Sequence, residues 1–249
     1  MRDTTNDDLF EFSNAPLSPL DLPEEEEIPL PDPEEMLLLL QSDLPMERMQ
    51  AARVFCELED SRAVPRLIEL LADDCPLVRV SAAYALGRNK SETAIVPLIN
   101  QFHQDWNGYV RKGVVWALGT CHHAQALDCL VNALTYDIPA VRLWAASALG
   151  QLGDSRAIAA VTQALNEDKM SAVRANCAWA LGKLLMGPCQ RTDELGDLYD
   201  DAVDALINAL GDDDLSVVAD ARTTLRRVAD PRGLQVLDRI EIEQGYCEF

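Results

Sequence analysis

Residues 173–182, Val-Arg-Ala-Asn-Cys-Ala-Trp-Ala-Leu-Gly, constrain this chain more than any other stretch, because the pattern recurs. Val-Arg, two variable residues, a small apolar pair, one more variable residue and Ala-Leu-Gly stand again at 78–87, 110–119 and 141–150. Weaker copies begin at Arg48 and span 217–226. The Arg residues at 48, 79, 111, 142 and 174 set a period of 31 or 32 residues. A period of that size marks a solenoid of stacked two-helix units, none of which can bury its apolar face alone.

With each Arg taken as position 0, positions −1, 3, 4, 6 and 7 are Val, Ala or Leu with few exceptions. Spacings of three and four put them on one helical stripe, so this is the inner helix of each unit and the stripe is core. The pattern predicts an all-α, right-handed solenoid of about six helical hairpins. Outer and inner helices are expected at 36–40 and 46–58, then to 71 and to 87, 94–102 and 109–118, 124–134 and 139–149, 156–165 and 171–185, and 198–210 and 215–228. A lone helix follows from 230 to about 244. Gly87, ending its repeat, suits a left-handed C′ position. Each Arg follows a turn holding an Asp, which predicts an Asp–Arg ladder along one edge, the guanidinium fork bridging carboxylates or carbonyls of adjacent units.

The repeats occupy residues 33–245, with an insertion at about 186–197 and a short tail at 246–249. Residues 1–32 differ in kind. Pro16, Pro19, Pro23, Pro29 and Pro31 interrupt any helix, and twelve acidic side chains up to Glu35 face the single cation Arg2. Such a segment buries too little apolar surface to offset chain entropy and is expected to be a disordered acidic leader. A solubilising tail is the plain reading. The punctuation by Leu9, Phe10, Phe12, Leu17, Leu20 and Leu22 allows a second, docking on a partner or on the solenoid's own groove.

A net charge of −21 argues against nucleic acid or an anionic membrane as partner. No run reaches the length of a membrane span, and the first residues lack the basic, apolar pattern expected of a signal peptide. Seven Cys scattered through helices do not form a secreted disulfide framework, so the chain reads as cytoplasmic and reduced.

Function is sought where the repeat leaves the residue free. Positions 2 and 5 of the inner helices carry Tyr84, Trp116, Trp144 and Trp179. Aromatics off the core stripe mark a recognition surface, since Trp and Tyr dominate binding hot spots; packing between units is the structural alternative. Gly113, at the position Trp144 holds one unit later, reads as room for a ring or ligand inside an exposed helix. Arg88 and Lys183 are the expected polar rim. No His or Cys set makes a complete metal site; Cys121, His122, Cys189 and Cys247 are the residues to weigh as ligands, the last two as exposed thiols a partner could share. No nucleophile–base pair, phosphate loop or paired carboxylate appears, so no catalytic residue is assigned.

The repeated Val-Arg-x-x-Ala-Ala-x-Ala-Leu-Gly, with Leu-Gly-Asp-Ser-Arg-Ala at 152–157 between units, resembles the HEAT-like repeats of the phycobilisome-lyase family. The resemblance covers about residues 33–245. It implies bilin lyase subunits, phycobilisome-degradation factors or pure adaptors. The acidic Pro-rich leader, six units and Gly-Tyr-Cys-Glu-Phe end are also similar to cyanobacterial HEAT-repeat proteins that partner an A-type iron–sulfur carrier. That likeness implies a non-catalytic adaptor with no cofactor of its own, steadying a cluster whose thiolates the partner supplies. The alternatives it leaves are a phycobilin lyase subunit and a regulator docked on a phycobiliprotein.

Overall fold

The structure is a computed structural model that describes residues 31–186 and 195–243. The leader up to residue 30, most of the insertion, the tail, Cys189 and Cys247 lie outside the described residues.

Thirteen α-helices and no strand stand among the described residues. Six hairpins pair α1 (Pro33–Leu39) with α2 (Pro45–Val54), α3 (Val64–Leu70) with α4 (Pro76–Arg88) and α5 (Ile95–Gln104) with α6 (Gly108–Cys121). They continue with α7 (Leu127–Tyr136) and α8 (Pro139–Leu152), α9 (Ile158–Glu167) and α10 (Ser171–Leu185), and α11 (Asp197–Asn208) and α12 (Leu215–Val228); α13 (Pro231–Glu243) ends the series. No helix among the described residues is long and apolar enough to cross a membrane.

Local chemistry sets the helix starts. Pro45, Pro76 and Pro139 open α2, α4 and α8, where a missing N–H costs nothing because the first N–H groups have no helical partner. Asp60, Asp154 and the ring of His123 accept from the backbone N–H two residues on, capping the short 3₁₀ turns that lead into α3, α9 and α7.

The second helices of successive units stack closely on one another, α2 on α4 and so on to α10 on α12, while the first helices splay further apart. The inner helices therefore form the concave side. One continuous apolar core runs through all six units. Leu86, Leu118, Leu149 and Leu181, at position 7, are fully buried, and each contributes about 1.5–3 kcal/mol by leaving water.

The repeat's Gly residues do not cap helices. Gly87, Gly119, Gly150 and Gly182 all lie within their helices, which corrects the C′ expectation. A β-carbon at Gly87 would stand 2.6 Å from Trp116 Cζ3 and 2.8 Å from Ala117 Cα, and one at Gly150 would stand 2.9 Å from Ala180 Cα. Gly is needed because the next inner helix crosses there at backbone distance. Left-handed residues do close α6 and α8, but they are His122 and Gly153.

Candidate partner-binding face

The edge of the solenoid is held by the Arg ladder. Arg48, Arg79, Arg111, Arg142 and Arg174 each bind both carboxylate oxygens of an Asp in the following unit, Asp73, Asp105, Asp137, Asp168 and Asp212 in turn, at 2.6–3.1 Å. The acid of an Arg's own turn offers its carbonyl: Arg79 Nη1 donates to Asp73 O at 2.8 Å, and Arg111 Nη1 to Asp105 O at 2.9 Å. A single Asp thus joins two units, by side chain to the Arg before it and by backbone to the Arg after it. The insertion does not interrupt the series.

Burial alone would raise Asp73, Asp105 and Asp168, but hydrogen bonds from the guanidinium and from the following backbone N–H prevail and hold them below the usual carboxylate range. At Asp212 the Arg174 hydrogen bond is the main cause of the same depression. Each of these Arg is engaged at Nε and at both terminal nitrogens, so the ladder is architecture and leaves no free basic stripe.

Tyr84, Trp116, Trp144 and Trp179 lie half-buried on the inner helices, the three Trp packed against the core. Trp116 spans two units: its Cζ3 lies over Gly87, and its ring centroid is 5.1 Å from that of Tyr84. Trp179 lies over Gly150 in the same way. Gly113 is buried beneath Tyr84, where a β-carbon would make ordinary 3.5 Å contacts with Ala83 Cβ and the Tyr84 ring. The expectation of an exposed Gly that leaves room for a ligand is corrected: the ring above it belongs to its own chain. Position 2 is half core, since Ser81 and Gly113 are buried.

Cations accompany the rings. Lys112 Nζ stands 5.6 Å from the Trp144 centroid and Lys183 Nζ 5.7 Å from that of Trp179, geometry in which the π-face attracts the ammonium. Arg88 is exposed and its Nε donates to Cys56 O at 2.9 Å. The structure therefore sets Tyr84 with Trp116, Trp144 with Lys112, and Trp179 with Lys183, one arrangement after another along the inner helices. Lys112 was missed in the sequence; its signal is position 1, one position before the one Trp144 holds in the next unit.

A second surface was also missed. Trp106, Tyr109 and Tyr136 are 79%, 76% and 80% exposed. Trp106 lies in the turn before α6, Tyr109 in the first turn of α6 and Tyr136 at the end of α7, next to Ile138, whose Cδ1 lies where a Gly108 β-carbon would go. The readable signal is an apolar residue at the N-cap position, Leu44, Ile138 and Met170, where a capping side chain would be expected.

No group of three or more His, Cys, Asp or Glu among the described residues could hold a metal ion. Cys121 is half-buried, and His122 holds Thr120 O by Nδ1 at 2.8 Å in its left-handed turn. Burial pushes the thiols of Cys56 and Cys129 up to about 11 and about 12, and that of Cys177 up as well, so none is a ready thiolate.

The model for HEAT repeats matches residues 33–99 and 95–182. The chain belongs to the HEAT-repeat family. No match was found among the curated proteins. Among solved structures, the complex of CpcE and CpcF of phycocyanin lyase from Nostoc sp. PCC7120 is similar, with 24% identity, a TM-score of 0.59, and 87% of this chain and 84% of that chain covered. A designed armadillo repeat protein in complex with peptide (KR)4 gives 19% identity and a TM-score of 0.61, covering 80% of this chain and 100% of that one. YibA of E. coli gives 21% identity and a TM-score of 0.61 over 84% of this chain and 75% of that one. At these identities the likeness is one of fold. HEAT and armadillo solenoids of this kind are scaffolds suited to holding protein partners.

Proposed function

We propose that this HEAT-repeat chain is a non-catalytic adaptor whose inner-helix face holds one protein partner. The observation that carries the reading is the run of half-buried rings paired with cations, Trp144 under Lys112 and Trp179 under Lys183. Rings fixed by packing on a rigid stack lose little entropy on binding, and the cations add orientation at the rim. Tyr84, Trp116 and Arg88 extend the face, with Gly113 supporting Tyr84 from below. The partner implied by the whole-chain resemblance is an A-type iron–sulfur carrier, which would keep its own cluster thiolates while this chain steadies the complex.

The test is the affinity of purified carrier, handled without oxygen, for wild type and Trp144→Ala. Loss of at least tenfold with unchanged circular dichroism supports the proposal; unchanged affinity in a folded variant sinks it. The second reading, a bilin lyase subunit, is favoured by the same rings and cations, which suit stacking an open-chain tetrapyrrole and meeting its propionates. A visible absorbance shift on mixing with phycocyanobilin would move the assignment there.

A further inference from the structure

We infer that the partner seated on the inner-helix face is acidic where it touches: a protein segment or surface bringing carboxylates set among apolar side chains. This rests on the adaptor reading above and adds the sign and character of what is bound. The chain holds 42 Asp and Glu against 21 Lys and Arg. Yet α4, α6, α8 and α10, four consecutive inner helices, contain no carboxylate. Their outer partners carry few, Glu69 on α3, Asp128 on α7, Glu167 on α9 and none on α5, and the acid of the repeats gathers in the turns and on α11, with Asp197, Asp200, Asp201 and Asp204.

The fold does not require this segregation. Stacking fixes positions −1, 3, 4, 6, 7 and the Gly at 8 and covers much of positions 1 and 2, whereas positions 5 and 9 lie at the margin of the core stripe, partly or wholly exposed. A solvated Asp or Glu there would cost the helix only a few tenths of a kcal/mol in propensity. Position 9 carries Glu57 in the first unit and position 2 carries Asp220 in the last, but the units between bear Lys112, Arg88 and Lys183 among the rings, and Arg53 and Arg227 continue the series on α2 and α12. None of these five makes an ion pair among the described residues, while the ladder Arg are all paired.

Each cation keeps capacity for a ligand. Among the described residues Arg88 donates from its Nε alone, to Cys56 O, and its two terminal nitrogens remain as donors. Lys112 and Lys183 lie over Trp rings, which accept no strong hydrogen bond. An ammonium above a ring is partly desolvated and attracts a carboxylate more strongly than one in open water. The same ring offers apolar contact beside it, hence the mixed acidic and apolar chemistry of the occupant. The designed armadillo relative is solved with the basic peptide (KR)4; that peptide carries the sign of this face and would be repelled by it.

The experiment titrates the full chain with a Glu-rich peptide containing interspersed Leu and Phe, carrying a neutral dye, and follows anisotropy. Controls are the same peptide with Gln for Glu, and (KR)4. The expected result is binding by the acidic peptide that weakens with added salt and falls at least tenfold in Arg88→Glu/Lys183→Glu. Equal binding of the Gln or (KR)4 peptide, or no effect of charge reversal in a folded variant, overturns the acidic inference. In that case Trp144→Ala separates the two claims: if it abolishes binding, the face is a docking site of the wrong predicted sign. If it leaves binding unchanged, the adaptor reading falls with the inference.

Discussion

Arg79 and Asp105 meet across two repeats, Nε at 2.7 Å and Nη2 at 3.1 Å from the carboxylate oxygens, with the Asp side chain 1% exposed. It is the most enclosed rung of the ladder, and Asp105 also takes Gln101 Nε2 at 2.7 Å and the Asn107 N–H at 2.9 Å. An ion pair this deep locks the spacing of two units because neither charge has water to return to.

Removing one partner of that rung strands the other. Asp105→Asn is expected to cost about 3–5 kcal/mol, read as a fall in thermal midpoint. Glu34→Gln, at an exposed pair with Arg62, should leave the midpoint unchanged. Equal small effects would show the ladder to be surface decoration.

Acid should open the solenoid through the same carboxylates. Asp73, Asp105, Asp168 and Asp212 are depressed in the fold, so their stabilisation is complete above the ordinary carboxylate pKa near about 4 and is lost as pH falls through the folded values. Asp220 on α12, raised by burial, works in the opposite sense as a single group. The thermal midpoint is predicted flat from about pH 5 to 8 and falling steeply below about pH 4. Asp105→Asn should reduce that slope.

Two Gly→Ala changes should differ in sign. At Gly87 the new methyl meets Trp116 and the Ala117 backbone, and overpacking of about 1–3 kcal/mol outweighs the gain in helix propensity. At Gly113 it meets only van der Waals neighbours, so about 0.5–1 kcal/mol of stabilisation is expected. Denaturant midpoints of the two variants decide it.

The Trp residues should separate by role. Trp116→Ala removes a ring wedged over Gly87 and beside Tyr84 and is expected to cost about 3–5 kcal/mol. Trp106→Ala, at 79% exposure, should cost less than about 0.5 kcal/mol. Acrylamide quenching of the remaining emission would confirm which ring was the wet one.

Thiol chemistry gives a further check. With burial raising Cys56 to about 11, Cys129 to about 12 and Cys177 upward as well, iodoacetamide at neutral pH should spare all three in the folded chain and modify them in denaturant. Mass spectrometry of tryptic peptides reads the outcome; rapid native alkylation of Cys177 would contradict its burial.

What the amino-acid order determined alone is the repeat and its phase. Residues 171–185 and 215–228 are helices with the expected ends, and position 7 is buried at every copy of Ala-Leu-Gly. That was legible because core, caps and turns depend on neighbours three or four residues away. Three matters depend on how one unit sits on the next, and only the tertiary structure decided them. Arg79 chooses Asp105 over Asp73 because stacking brings the later turn to its guanidinium plane, whereas its own turn presents a carbonyl. Gly87 is required by a helix 30 residues further on, so its local look as a cap was misleading. Trp116 and Gly113 became packing partners of Tyr84, while the most exposed Trp sat in a turn, because a side chain off the core stripe of its own helix can still be covered by its neighbour's.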